Sequence, residues 1–183
     1  MIIELKNPKT EDYLTFKKEV LSNTFPWYWN ENSVDVDILK EKGELKKIPF
    51  LGHSILKRPC DPGDYRIYPN PNSSFSDLSN IILNQIFYIN GINFNCVLRI
   101  NLNLTIPVLG IESTKPHIDH EFPHKNMLIY LNKSDGDTIL CDDNNVKNDN
   151  FTPKEDSIIL FEGRHYHNLP KEGRRVVLIC TFI

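Results

Sequence analysis

The sequence predicts a mainly β chain, an antiparallel sandwich or barrel with helices confined to its N-terminal half. Three observations carry that expectation. Residues 96–106 (CVLRINLNLTI) place Leu98, Ile100, Leu102, Leu104 and Ile106 at every second position, the period of a half-buried strand. Short apolar segments then follow in quick succession at 116–120, 126–131, 137–141, 157–161, 164–169 and 175–182, separated by turn-rich stretches such as KSDGD and DDNNVKNDN. Helical spacing of apolar residues occurs only before residue 91, so the connections that βαβ units need are missing.

The elements of the first half are weaker. Residues 9–22 carry Tyr13, Phe16, Lys17 and Val20 at helical spacing behind Thr10, a good N-cap. The aromatic cluster FPWYW at 25–29 reads as core packing by Trp27 and Trp29. Residues 36–47 form a second, weak helix broken at Gly43, and 59–71 (PCDPGDYRIYPNP) read as loop. Ser76 and Asp77 open a third helix whose Leu78, Ile81, Ile82, Gln85 and Ile86 share one face and which ends at Gly91.

Composition bounds the function. The 183 residues predict one domain, 1–183, with a helical and irregular buttress over about 1–91 and a β core over about 92–183. A hydrophobic share of 40% and a charged share of 25% are those of a globular protein. Lys plus Arg number 21 against 24 for Asp plus Glu, so no basic footprint predicts a nucleic-acid partner. Charge and Pro in MIIELKNPKTED predict no signal peptide, and the longest apolar run, 176–180, is too short to span a bilayer. Cys60, Cys96, Cys141 and Cys180 stand far apart without a C-x-x-C pair, as expected of reduced thiols in a cytoplasmic protein.

The chemistry concentrates in two histidine clusters, PHIDHEFPH (116–124) and GRHYHNL (163–169). HEFPH matches the H-E-x-x-H zinc pattern, but that motif needs a helix and Pro123 sits inside the required turn. The competing reading is His117-x-Asp119. On extended backbone, residues i and i+2 point the same way, so an imidazole and a carboxylate can share one ion. A third ligand must come from a distant segment, and His165 and His167 both qualify. Two His and one carboxylate leave open positions on Fe(II), as in non-haem oxygenases.

Residues 157–182 sharpen this reading. An apolar strand ends in Phe-Glu-Gly, a His follows, and an Arg opens the last apolar strand. With LRINLNL, PHID, MLIYLN, DGDTIL, ILFEG and RRVVL in that order over roughly 96–182, the chain resembles the Fe(II)/2-oxoglutarate-dependent oxygenases. The similarity is greatest to their prolyl-hydroxylase-like branch and its small relatives in bacteriophages and marine bacteria. The resemblance implies a double-stranded β-helix (jelly roll). It implies His117, Asp119 and His167 as metal ligands, because the family places that His six residues past the Phe that is here Phe161; His165 is the reserve choice. It also implies that Arg175 pairs with the distal carboxylate of 2-oxoglutarate, with Arg174 the alternative of opposite parity, and that Tyr130 hydrogen-bonds the same carboxylate. A guanidinium suits that task because it offers two parallel donors.

Gly136, Thr138 and Gly163 match structural positions of the family, and Arg99 a wall residue near the site or, equally, a salt-bridge partner. His120 and His124 read as loop residues, and His53 as a buried or hydrogen-bonded one. The implied activity is a dioxygenase that uses Fe(II), 2-oxoglutarate and dioxygen to hydroxylate a C–H bond of a peptidyl or free amino-acid side chain. The alternatives are a non-catalytic jelly-roll binding module, or a metal-dependent isomerase or hydrolase of the same barrel, neither of which needs Arg175.

Overall fold

The fold is that of a computed structural model, which describes residues 1–31, 47–57 and 69–183. The helix expected at 36–47 and most of the loop expected at 59–71 lie outside these residues.

Two antiparallel sheets face each other. The larger runs in the order β1 (Ile3–Leu5), β9 (Ile158–Phe161), β6 (Lys125–Tyr130), β11 (Arg175–Phe182), β5 (Val97–Thr105), β3 (Phe50–Lys57) and β2 (Tyr28–Asn30). The two-residue β4 (Asn70–Pro71) pairs with β3. The smaller sheet is β10 (His165–His167), β7 (Thr138–Cys141) and β8 (Lys147–Phe151), extended by bridges from Ser113 to Asn168 and from His117 to His165. This is the jelly roll that the sequence predicts.

Strand β11 shows how the layers are built. All eight of its residues are buried. Val176, Leu178, Cys180 and Phe182 join a core with the helices α1 (Glu11–Val20) and α2 (Ser76–Ile89), whose Phe16, Ile82 and Ile86 are fully buried. Val177 and Ile179 point the other way, into the barrel, against Leu128, Leu140, Phe151, Ile159 and Phe161. Both faces are therefore covered, which is why this strand reads as a continuous apolar run rather than an alternation. Each of these large side chains contributes about 1.5–3 kcal/mol by leaving water.

The helices are placed by their own signals. The Thr10 hydroxyl accepts from the Tyr13 N–H, and Tyr13, Phe16 and Val20 face the core. Gly91, at φ 60°, ends α2 in a left-handed turn. The buried face of α2 is Ser79, Ile82, Leu83, Ile86 and Phe87, whereas Ile81 is 47% exposed. The face is rotated by part of a turn from the expected one, because Leu83 and Phe87 lie on the same side as Ile82 and Ile86.

Three further expectations are corrected. The first half is not merely a helical buttress: β1, β2, β3 and β4 belong to the larger sheet. Residues 116–120 are not a strand; His117 alone bridges, to His165, since Pro116 has no N–H for a ladder. Within the turn-rich DDNNVKNDN lies β8, a strand that a mostly polar sequence conceals. Among the described residues no helix is long and apolar enough to cross a membrane.

Candidate metal centre

His117 and His165 face each other across the two hydrogen bonds of an antiparallel bridge, His117 N–H to His165 O at 2.8 Å and the reverse at 2.9 Å. Gly163, at φ 91°, turns the chain so that β10 begins at His165. The ligand atoms of His117, His165 and His167 all lie within 4.8 Å of one another and could hold a metal ion. Asp119 stands beside them: its Oδ2 is 3.7 Å from His165 Nε2, while Oδ1 accepts from Arg99 Nη1 at 3.1 Å. Arg99 thereby fixes the carboxylate plane with one oxygen turned toward the imidazoles. The structure thus brings together His117, Asp119, His165 and His167, all named from the sequence.

The ring partners fix the tautomers. His117 Nδ1 lies 2.9 Å from the Lys115 carbonyl and His165 Nδ1 3.2 Å from the Gly163 carbonyl. Carbonyls only accept, so each Nδ1 carries its proton and each Nε2 keeps a lone pair, the form that binds metal. His167 differs. Its Nδ1 is 2.9 Å from Thr138 Oγ1 and 3.3 Å from Arg175 Nη2. A guanidinium only donates, so in the neutral ring this Nδ1 accepts and the proton sits on Nε2.

His165, which is buried, and His167, which is half-buried, are both neutral at pH 7. Burial, reinforced by His117, brings the pKa of His165 down to about 4. Burial, with the Arg175 charge, pulls His167 well below its ordinary value. His165 therefore need not lose a proton before binding an ion.

Deeper in the barrel Thr138 Oγ1 is the hub of a second group. It lies 2.6 Å from the Tyr130 hydroxyl and accepts from Arg175 Nη2 at 3.2 Å. Burial raises the Tyr130 pKa, so the phenol stays protonated. The Arg175 guanidinium sits 5.4 Å from the Tyr130 ring centre, is 3% exposed, and its Nε has no hydrogen-bond partner among the described residues. The groups it touches are all neutral, so a buried positive charge faces the barrel interior without a described anion against it. Arg174, one residue earlier, is exposed. Gly136 shapes this pocket, since a Cβ there would lie 2.8 Å from Asn168 O and 3.2 Å from Arg175 Cδ.

The remaining residues lie at the margin. His120 Nε2 is 2.8 Å from Thr181 Oγ1 and its ring stacks on Phe122. His124 Nδ1 donates to the Phe122 carbonyl. His53 is buried between the Pro26 carbonyl and the Ser73 hydroxyl, on the other side of the larger sheet. Trp27 packs on the core as expected, but Trp29 is 62% exposed. Sequence reasoning gave Thr138 only a structural place; its hub position follows from facing His167 across the β7–β10 pair, which no local pattern reveals.

The donor set suits Fe(II), which takes imidazole and carboxylate on one face. The orphaned Arg175 Nε and its uncompensated charge suit the far carboxylate of a dicarboxylic cosubstrate.

No family model and no curated protein matches the chain. Solved structures do. An oxidoreductase of the 2OG-Fe(II) oxygenase family from Burkholderia pseudomallei is 13% identical, with a TM-score of 0.66 over 99% of this chain and 84% of that one. A full-length Neurospora crassa protein in complex with alpha-KG is 14% identical, with a TM-score of 0.55 over 99% of this chain and 74% of that one. The non-heme alpha ketoglutarate dependent epimerase SnoN from nogalamycin biosynthesis is 9% identical, with a TM-score of 0.56 over 100% of this chain and 77% of that one. At these identities the likeness is one of fold: the chain has the double-stranded β-helix of the 2-oxoglutarate/Fe(II) oxygenases.

Proposed function

We propose that the protein is a non-haem Fe(II)- and 2-oxoglutarate-dependent dioxygenase, with His117, Asp119 and His165 as the metal ligands. The observation that carries this reading is the convergence of two imidazole lone pairs and a carboxylate oxygen opposite a buried, unpaired guanidinium. The family's spacing favours His167 as third ligand. The hydrogen bonds favour His165, because His167 presents an N–H where a ligand needs a lone pair. His167 then becomes a donor beside Arg175 and Tyr130, aimed at the cosubstrate.

When bound, Fe(II) with 2-oxoglutarate and dioxygen supplies the oxidising power for C–H hydroxylation, and the cosubstrate leaves as succinate and carbon dioxide. The chain's own residues bind and orient. Arg99 holds the Asp119 carboxylate, and the bridge to His165 holds His117. Arg175, with Tyr130 and Thr138, receives the distal carboxylate, while Leu128, Ile159, Phe161, Val177 and Ile179 keep water from the barrel interior.

The experiment is uncoupled turnover. Succinate should form from 2-oxoglutarate only with Fe(II) and dioxygen present, and formation should cease in Arg175→Ala. Undiminished turnover in that variant would remove the cosubstrate assignment.

A further inference from the structure

Strand β5 has two faces. Leu98, Ile100, Leu102 and Leu104 lie on the core side shared with the helices. Arg99, Asn101 and Asn103 point to the barrel side, where Arg99 holds Asp119. Asn101 is two residues from Arg99 on the same face, about 7 Å further along the strand. The neighbouring strand β3 sets Ser54 opposite Asn101 and Gly52 opposite Asn103. A cavity of about 300 Å³ opens here, lined by Tyr28, Asn30, Phe50, Gly52, Ser54, Asn72 and Asn101 together with His53. It lies on the same face of the larger sheet as Arg99, further along β5.

The lining has a definite chemistry. Among the described residues it offers three amides, two hydroxyls and two aromatic rings, and no carboxylate, ammonium or guanidinium. The amides are held in place. Asn30 Nδ2 donates to Tyr28 O at 3.0 Å and Asn72 Nδ2 to Ser54 O at 3.0 Å. Asn101 Nδ2 donates to both Asn103 Oδ1 and Leu102 O. Among the described residues, Asn30 and Asn72 thus retain one N–H and a carbonyl oxygen each, and Asn101 its oxygen. Gly52 keeps the floor open: a Cβ there would meet Asn30 Nδ2 at 2.9 Å and the Phe50 ring at 3.1 Å.

We propose that this cavity is the substrate subsite and that it takes the flat, uncharged edge of a nucleobase, presented by a free base or nucleoside. Fixed amides with donor and acceptor side by side match such an edge, and Tyr28 and Phe50 supply rings for its face. The volume is at the lower end of small-ligand clefts and enough for a nucleoside. Among the described residues the lining holds no charged group to answer a phosphate or a free amino acid. The proposal rests on the dioxygenase reading for its role in turnover, though not for binding.

The test is calorimetric titration of the metal-free protein, in EDTA, with uridine and with adenosine. Saturable binding by at least one is expected, weakened about five- to 150-fold in Tyr28→Ala, the range of one lost stacking contact. Tyr28 is 62% exposed, so that variant folds, and Gly52→Ala and Asn101→Ala should weaken binding as well. Arg174→Ala, at an exposed residue outside the cavity, should bind the nucleoside as the parent does. No saturable binding, or a preference for a methyl glycoside or a proline-containing peptide, would overturn the proposal. Nucleoside binding by a protein that forms no iron–2-oxoglutarate complex would instead spare this site and sink the dioxygenase reading.

Discussion

Replacing Arg175 by Met separates the stability of the fold from the binding of its cosubstrate. The guanidinium is 3% exposed, and its contacts are Thr138 Oγ1, His167 Nδ1 and the Tyr130 ring, all neutral. A buried charge without a counter-ion is held at a cost, so an apolar side chain of similar length should leave the metal-free protein as stable or more so. A gain of about 1 kcal/mol would raise the Tm by about 2–4 °C for a chain of this size. Binding of 2-oxoglutarate should respond in the opposite sense. Two charge-assisted hydrogen bonds at about 1.5–3 kcal/mol each would be lost, ~3–6 kcal/mol in all, weakening binding by roughly 10²–10⁴-fold. Thermal melting without metal and anaerobic calorimetry with Fe(II) measure the two halves. A variant that melts well below the parent and binds 2-oxoglutarate as tightly would show Arg175 to be a structural residue and not a cosubstrate ligand.

The other predictions concern single contacts. His165→Ala should abolish Fe(II) binding, whereas His167→Ala should retain the metal and weaken 2-oxoglutarate; equilibrium dialysis of iron with each variant decides, and loss of iron only in His167→Ala would restore the spacing-based choice. Gly136→Ala should destabilise by about 1–3 kcal/mol in urea melts and loosen 2-oxoglutarate, because the added methyl must displace the Asn168 carbonyl or the Arg175 stem. Asp156 ties α1 to the turn before β9 through Tyr13, Lys17 and Lys9. Its burial raises the carboxyl pKa, but hydrogen bonds from Lys17, Tyr13 and Lys9 outweigh that and hold it below the ordinary value. The stability it confers is thus complete above the unfolded pKa of about 3.9 and lost as pH falls through the lowered folded value. Asp156→Asn should cost about 1–3 kcal/mol at pH 7 and progressively less in acid, as read from melting curves across pH.

What the sequence discloses follows from how regular each element is. Strands β5, β6, β7, β9 and β11 are legible because their apolar residues mark either one barrel face or both. Strand β8 is not, since only Phe151 of KNDNF is buried and its pairing with β7 supplies the rest. Strand β3 hides for another reason: Gly52 and His53 interrupt the apolar pattern, one to keep a cavity open and one to bind Pro26 and Ser73. At the metal centre, Arg175 and Arg174 differ in parity, so their opposite burial is foreseeable. His165 and His167 share a parity, and only the partners of their Nδ1 atoms tell them apart. Those partners, Gly163 O against Thr138 and Arg175, come from the fold and not from spacing.

His117, Asp119 and His165 are proposed to hold iron next to a 2-oxoglutarate carboxylate on Arg175. Adding Fe(II) and 2-oxoglutarate anaerobically to the purified protein tests it most directly, without knowledge of the substrate. A visible charge-transfer band is expected, absent in His117→Ala and in His165→Ala. A folded protein that shows no such band at saturating Fe(II) and 2-oxoglutarate would contradict it.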